Sequence, residues 1–191
     1  MLKKNMWVSC LRAMGSWLLK LRYRIDVRGL DAIAARGTRG ILFLPNHPAL
    51  IDPVILIAIL HRTFSPYILA DRDRIDAPVL RSLADLFGAL PMPDLARLGN
   101  TRRPEVEKAI RECLARHELG ENLVFYPAGR LYRSPREDLG ANSGAATLLT
   151  RFPKARIVLV RVTGLWGSAF SFAGGETPTQ SALLKALGSL L

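Results

Sequence analysis

His47 and Asp52 are the residues whose types and spacing most readily suggest chemistry. They bracket the turn Asn46-His-Pro-Ala-Leu-Ile-Asp52, which follows the apolar run Ile41 to Leu44 between Gly40 and Pro45. Such a run reads as a strand buried on both faces. Pro48 disfavours helical geometry at His47, and Asp52 followed by Pro53 reads as the N-cap and first residue of a helix. The imidazole is therefore expected at the carboxyl end of a strand, one tight loop from a carboxylate. A carboxylate on one ring nitrogen fixes the tautomer and makes the other nitrogen more basic, which suits a general base near neutral pH.

The remaining histidines differ. His61 and His117 fall at the ends of predicted helices, where a cation complements the helix dipole, and both read as structural. The chain has no G-x-S-x-G nucleophile elbow, no phosphate-binding P-loop and no G-x-G-x-x-G after a strand. A His/Asp pair that activates an external nucleophile is then favoured over a covalent triad. Cys10 and Cys113 are far apart with no C-x-x-C companion, so neither a disulfide framework nor a zinc site is indicated and no metal is expected.

A second candidate is Leu-Val-Phe-Tyr-Pro-Ala-Gly-Arg-Leu-Tyr-Arg-Ser, Leu123 to Ser134. It reads as a buried strand breaking into a loop that carries Arg130, Arg133 and Arg136. Guanidinium forks match phosphate geometry, and Gly129 permits close backbone approach. A phosphate cradle and a solvated basic turn are both compatible with the local sequence.

The elements that must position these residues alternate between strand and helix. Tyr23, Ile25 and Val27 alternate as a half-buried strand. Residues 30 to 36 read as a short helix, Pro53 to His61 as the next, and Tyr67 to Ala70 as a buried strand. Helices are expected from Asp76 to about Phe87 and from Arg102 to His117. Asn122 to Tyr126 reads as a strand, Asn142 or Ser143 as a cap on a helix to about Phe152, and Arg156 to Val162 as a β-branched strand. This predicts a single α/β domain with a mostly parallel sheet flanked by helices on both faces, and ligand sites at the carboxyl ends of its strands.

Ahead of it, Trp7, Leu11, Met14, Leu18 and Leu21 form one stripe of an amphipathic helix flanked by Lys3, Lys4, Lys20, Arg22 and Arg24. Residues 1–22 thus read as a membrane-docking helix or as a first core helix, and residues 23–191 as the catalytic domain. No run of 18 uncharged apolar residues is present, so a spanning helix is not expected. The apolar stretch Ala182 to Leu191 has no stop signal and reads as a C-terminal truncation.

At 191 residues, 49% hydrophobic and 23% charged, the chain can bury a full core, which excludes disorder as its dominant state. A formal charge of +11 calls for an anionic partner: nucleic acid, an anionic membrane or a phosphorylated substrate. The cations are scattered and aromatics are only 7% of residues, a poor pattern for nucleic-acid binding. A non-catalytic basic module on nucleic acid or anionic membrane is the alternative to an enzyme.

Asn46 to Asp52 resembles the N-H-x4-D signature of the glycerolipid acyltransferases, which make phosphatidic acid or reacylate lysophospholipids. Phe125 to Arg130, F-Y-P-A-G-R, resembles the family's F-P-E-G block with Ala128 where Glu is usual. Ile157 to Gly164 resembles its later V-P-V strand with Leu159 replacing the proline. The middle F-I-x-R block is represented only by Gly88 to Asp94, without a basic residue. The resemblance implies acyl transfer from acyl-CoA or acyl carrier protein to a hydroxyl of a lysophospholipid or glycerol-phosphate-like acceptor, with no cofactor and no nucleic-acid partner. His47 would be the base and Asp52 its orienting carboxylate. Asn46, Gly129, Arg130 and Arg133 would bind substrate, with amides of the Pro127 to Arg130 turn as oxyanion donors. A peripheral or monotopic place on the cytoplasmic face of a membrane, on an anionic surface, is the implied location.

Overall fold

The computed structural model describes residues 19, 21, 23–71, 89–92, 103–139, 146 and 149–175. In chain order they form α1 (Leu30–Ala35), β1 (Ile41–Pro45), α2 (Asp52–Phe64), β2 (Tyr67–Asp71), β3 (Ala89–Met92), α3 (Arg103–Glu118), β4 (Leu123–Val124) and β5 (Arg156–Val160). The five strands make one sheet in the order β3-β2-β4-β1-β5, and every pairing is parallel. Parallel strands need crossover connections; among the described residues α2 leads from β1 to β2 and α3 from β3 to β4. The expected α/β domain is the one observed.

Strand β1 is the axis of the core, with all five residues buried. Its side chains alternate between faces. Ile41 and Phe43 join Leu56, Ile57, Leu60 and Phe64 of α2, and Phe43 meets Phe64 edge-on at 5.3 Å. Leu42 and Leu44 join Ile110 and Cys113 of α3 together with Phe152. Each fully buried side chain of this size contributes about 1.5–3 kcal/mol of transfer free energy, so β1 is held firmly enough to aim whatever follows it. A third cluster, Ala49, Ile51, Ile55, Leu165 and Phe170, packs under the turn after β1.

The start of β1 is locked by one side chain. The Asn122 carboxamide is buried; its Oδ1 accepts from Ile41 N–H at 2.9 Å, and its Nδ2 donates to the carbonyls of Thr38 at 2.7 Å and Phe64 at 2.5 Å. Three segments that converge at the amino ends of the strands are thereby satisfied by a single residue.

Several boundaries differ from the sequence reading. Residues 23–28 are not a strand. Tyr23 and Ile25 instead lie against the third cluster, so their alternation reflects packing on one side without a sheet neighbour. The β4 ladder is two residues long, because the chain turns at Pro127 toward the site. Helix α2 starts at Asp52 with Ile51 as its cap residue and runs on to Phe64. Strand β5 ends at Val160 and lies at the sheet edge. There Ile157 and Leu159 are exposed, so among the described residues one face of the sheet is bare at this strand. The expected helix from Asp76, the cap at Asn142 or Ser143, the N-terminal amphipathic helix apart from Leu19 and Leu21, and the terminal apolar stretch lie outside the described residues.

Candidate active site

The turn after β1 places His47 two residues beyond the strand, where the backbone is pinned from both sides. Asn46 N–H donates to Val160 O at 3.3 Å, Tyr132 N–H donates to His47 O at 2.9 Å, and Leu50 N–H donates to Phe170 O at 2.8 Å. The carboxyl ends of β1 and β5 and the loop after β4 thus meet at one point, as expected for a parallel sheet.

Within it, His47 Nδ1 lies 3.0 and 3.2 Å from the two carboxylate oxygens of Asp52. Asp52 is fully buried, whereas the His47 side chain keeps 15% of its exposure. Two further donors hold the carboxylate. Ala49 N–H reaches Oδ2 at 3.1 Å, and the Tyr126 hydroxyl reaches Oδ1 at 2.7 Å. Burial first, then the Asp52 charge and the hydrogen bond to it, push the Tyr126 phenol well above its usual 10.0, so Tyr126 remains a donor. The tautomer follows from these partners: with three donors converging on an ionised Asp52, Nδ1 carries the proton and Nε2 holds the lone pair. The Tyr126 ring lies 4.4 Å from the imidazole, centroid to centroid, tilted by 39°. The imidazole is therefore fixed by its partner and its packing.

Asn46 has its amide committed to the protein. Nδ2 donates to Tyr132 Oη at 2.7 Å and to Val162 O at 2.8 Å, while Oδ1 accepts from Val162 N–H at 2.6 Å. It clamps the loops after β1, β4 and β5 together.

The loop after β4 turns at Gly129, whose φ of 62° falls in the left-handed region that glycine favours. Ala128 is buried in the turn, and Gly129 N–H donates to Tyr126 O at 3.0 Å. Pro127 has no N–H, so the amides of Ala128 and Arg130 are the turn's remaining donors. Beyond it lies a pocket of about 270 Å³ whose wall includes Arg130, Arg133, Arg136, Glu137 and Asp138. Arg130 pairs with Asp138 at 3.3 Å with both side chains largely exposed, a contact worth little on its own. The Arg133 guanidinium lies 5.6 Å from the Phe172 ring centroid. The pocket wall does not include His47; Tyr132, which lines it, makes the link through its bonds to His47 O and Asn46.

Two participants were not singled out in the sequence. Tyr126 and Tyr132 reach the turn from 74 and 86 residues away. The only sequence signal for them was their place around a strand end already under suspicion. His61 and His117 take the structural positions expected of them, in the last turns of α2 and α3, with His117 edge-on to Phe152 at 5.2 Å. Among the described residues no group of His, Cys, Asp and Glu could hold a metal, and no helix is long and apolar enough to cross a membrane.

An all-parallel α/β sheet carries, at the carboxyl end of its interior strand β1, an imidazole oriented by a buried carboxylate, an arrangement chemically suited to general base work. A family model, Acyltransferase, matches residues 24–163, and the chain belongs to that family of glycerolipid acyltransferases. It is an acyltransferase domain of glycerolipid metabolism. A search of the curated proteins and a search of the solved structures returned no match.

Proposed function

We propose that the protein moves a fatty acyl group from a thioester, acyl-CoA or acyl carrier protein, to a hydroxyl of a lysophospholipid or glycerol-phosphate-like acceptor. The observation that carries this reading is His47 held through Nδ1 by the buried Asp52 carboxylate. That arrangement leaves Nε2 to remove the acceptor's proton.

In the step itself, the acceptor oxygen gives its proton to Nε2 as it bonds to the thioester carbonyl carbon, and the carbonyl electron pair moves onto oxygen. Asp52 offsets the charge of the imidazolium. The amides of Ala128 and Arg130 are the donors we assign to the oxyanion. Collapse of the tetrahedral species breaks the C–S bond, and the imidazolium returns the proton to the departing sulfur, so ester and thiol leave and the base is regenerated. Arg130 and Arg133 hold the acceptor phosphate by charge-assisted hydrogen bonds, and Gly129 lets the backbone approach it. Asn46 serves the substrate by keeping the three loops in register.

The acceptor and the product are both lipids, so the chemistry belongs at a membrane. The stripe Trp7, Leu11, Met14, Leu18 and Leu21 with its flanking cations would supply the dock on an anionic cytoplasmic leaflet. Incubating the protein with acyl-CoA and a panel of lysophospholipids, followed by mass spectrometry of the lipids, tests the reading: a product heavier by one acyl chain names acceptor and acyl group together. Absence of any acylated product with either thioester donor contradicts it.

A further inference from the structure

We infer that the Tyr132 hydroxyl is a further substrate contact, donating its hydrogen to a phosphate oxygen of the acceptor and so fixing the offset between that phosphate and His47. The inference rests on the reading of the acceptor as a glycerol phosphate ester. Tyr132 meets both the histidine turn and the arginine pocket. Its backbone N–H donates to His47 O at 2.9 Å, and the residue lines the pocket of about 270 Å³ that Arg130, Arg133 and Arg136 also line.

The direction of the bond between Asn46 and Tyr132 is set by a third partner. Val162 N–H can only donate, so the Asn46 atom 2.6 Å from it is the carbonyl Oδ1. The other end of the amide is then the NH2 group, which has hydrogens and no acceptor capacity. Both of its contacts, Val162 O at 2.8 Å and Tyr132 Oη at 2.7 Å, must therefore accept. The phenol oxygen uses a lone pair for Asn46 and keeps its own O–H hydrogen. Among the described residues the bond accepted from Asn46 is the one hydrogen bond of this hydroxyl, whereas Tyr126 delivers its hydrogen to Asp52 at 2.7 Å. Burial, more than any other influence, raises the Tyr132 phenol above its ordinary 10.0, against the pull of the Asn46 bond. The hydroxyl is thus a protonated donor at neutral pH, and accepting from an amide polarises it into a better one.

The surroundings make an anion the fitting recipient. Three arginines line the pocket, and the two carboxylates on its wall, Glu137 and Asp138, leave the cations in excess. A phosphate oxygen has lone pairs for donors beyond the guanidinium forks, and an O–H bond to an anionic oxygen is among the strong ones. The Tyr132 ring lies 6.3 Å from that of Trp166, centroid to centroid, a contact that phenylalanine would make equally well, so packing leaves the hydroxyl unexplained. Because Tyr132 N–H holds the His47 carbonyl, a phosphate gripped by the hydroxyl stands in register with the base, and the acceptor's own hydroxyl is delivered toward Nε2.

The test measures binding of glycerol phosphate to the full chain by calorimetry, with wild type, Tyr132→Phe and His47→Ala side by side, and repeats it with a short-chain lysophosphatidic acid. Tyr132→Phe is expected to weaken both ligands on the order of tenfold, while His47→Ala binds as wild type does. The tighter of the two ligands tells a lipid head group from the free ester. In turnover, Tyr132→Phe should raise the acceptor's KM and leave the donor's within about twofold. If the Phe variant does not fold, wild type isotopically labelled at tyrosine Cζ decides: one of its four tyrosine resonances should move on adding glycerol phosphate, and none on adding glycerol. Equal affinity in wild type and a folded Tyr132→Phe would overturn the proposal, as would four unmoved resonances at saturating ligand. A fall of kcat with both KM values unchanged would reduce Tyr132 to a clamp on Asn46, which equally overturns it. Weakened phosphate binding in Tyr132→Phe, beside a wild type that acylates no acceptor, would uphold this contact and remove only the acyl-transfer reading.

Discussion

The Tyr126 hydroxyl donates to Asp52 Oδ1 at 2.7 Å from the end of the strand beside the one that presents His47. The contact joins two strand ends through the one carboxylate that orients the imidazole. Removing the hydroxyl in Tyr126→Phe leaves a buried carboxylate short of a donor, so a loss of about 1–3 kcal/mol of stability is expected. Turnover should fall on the order of tenfold, because Asp52 is freer to turn away from Nδ1. Denaturant unfolding and steady-state kinetics on the same preparation check both. The phenol's ionisation is raised in the folded state, so this contribution is present below the usual tyrosine range and is lost as pH rises through the higher folded value. Alkaline unfolding of wild type, but not of Tyr126→Phe, should carry that titration.

Asn122→Ala should be among the most destabilising single substitutions in the chain. It strips partners from Ile41 N–H and from the carbonyls of Thr38 and Phe64 at once, for an expected loss of about 3 kcal/mol. A shift of the denaturant midpoint at unchanged slope is the signature. A midpoint like that of wild type would show that water replaces all three bonds.

Arg130→Ala should raise the acceptor's KM more than the donor's. A charge-assisted contact to phosphate is worth roughly 1.5–3 kcal/mol, and the exposed ion pair with Asp138 offers little competition. Lysine should rescue poorly, since it lacks the planar fork. Equal effects on both substrates would mark the loop as a structural turn.

Glu137 predicts a pH dependence of stability. Its folded value is raised above 4.5, so its favourable contribution is full below that value and is lost as pH rises through the folded one. Unfolding free energies should therefore show wild type losing ground to Glu137→Gln across that window. Parallel curves would show that burial of this carboxyl carries no pH-dependent cost.

Much of this site was legible because it is local. The apolar run of β1, the proline after His47 and the five-residue reach to Asp52 lie within a dozen residues, and the structure keeps their order and sense. The alternation at Tyr23, Ile25 and Val27 misled, since a period of two reports one-sided packing whether or not a strand neighbour exists. The aspartate expected to cap α2 makes no side-chain cap bond to the helix; its oxygens are taken by His47, Ala49 and Tyr126. Local propensity is outweighed there by three converging donors. The contacts of Tyr126 with Asp52 and of Tyr132 with Asn46 were invisible because crossover topology, which no short window encodes, creates them.

Membrane docking through residues 1–22 makes a separate prediction. Burying a few of Trp7, Leu11, Met14, Leu18 and Leu21 contributes about 1.5–3 kcal/mol each at most, and each nearby cation about 1 kcal/mol on anionic lipid. Binding should be reversible and salt-sensitive, and deleting residues 1–19 should abolish it. Co-sedimentation with anionic and neutral vesicles checks this; an intact protein that ignores anionic vesicles, or a truncated one that unfolds, makes the segment a core helix.

The most direct measurement is turnover of a verified thioester and acceptor by His47→Ala and Asp52→Asn beside wild type. An asparagine at 52 can present its carbonyl to Ala49 N–H and its amide to Tyr126, but that amide then donates to Nδ1 and leaves the proton on Nε2, the wrong nitrogen. The account predicts no detectable transfer by His47→Ala, and a folded Asp52→Asn slowed on the order of a hundredfold or more. Wild-type turnover by purified His47→Ala would contradict it.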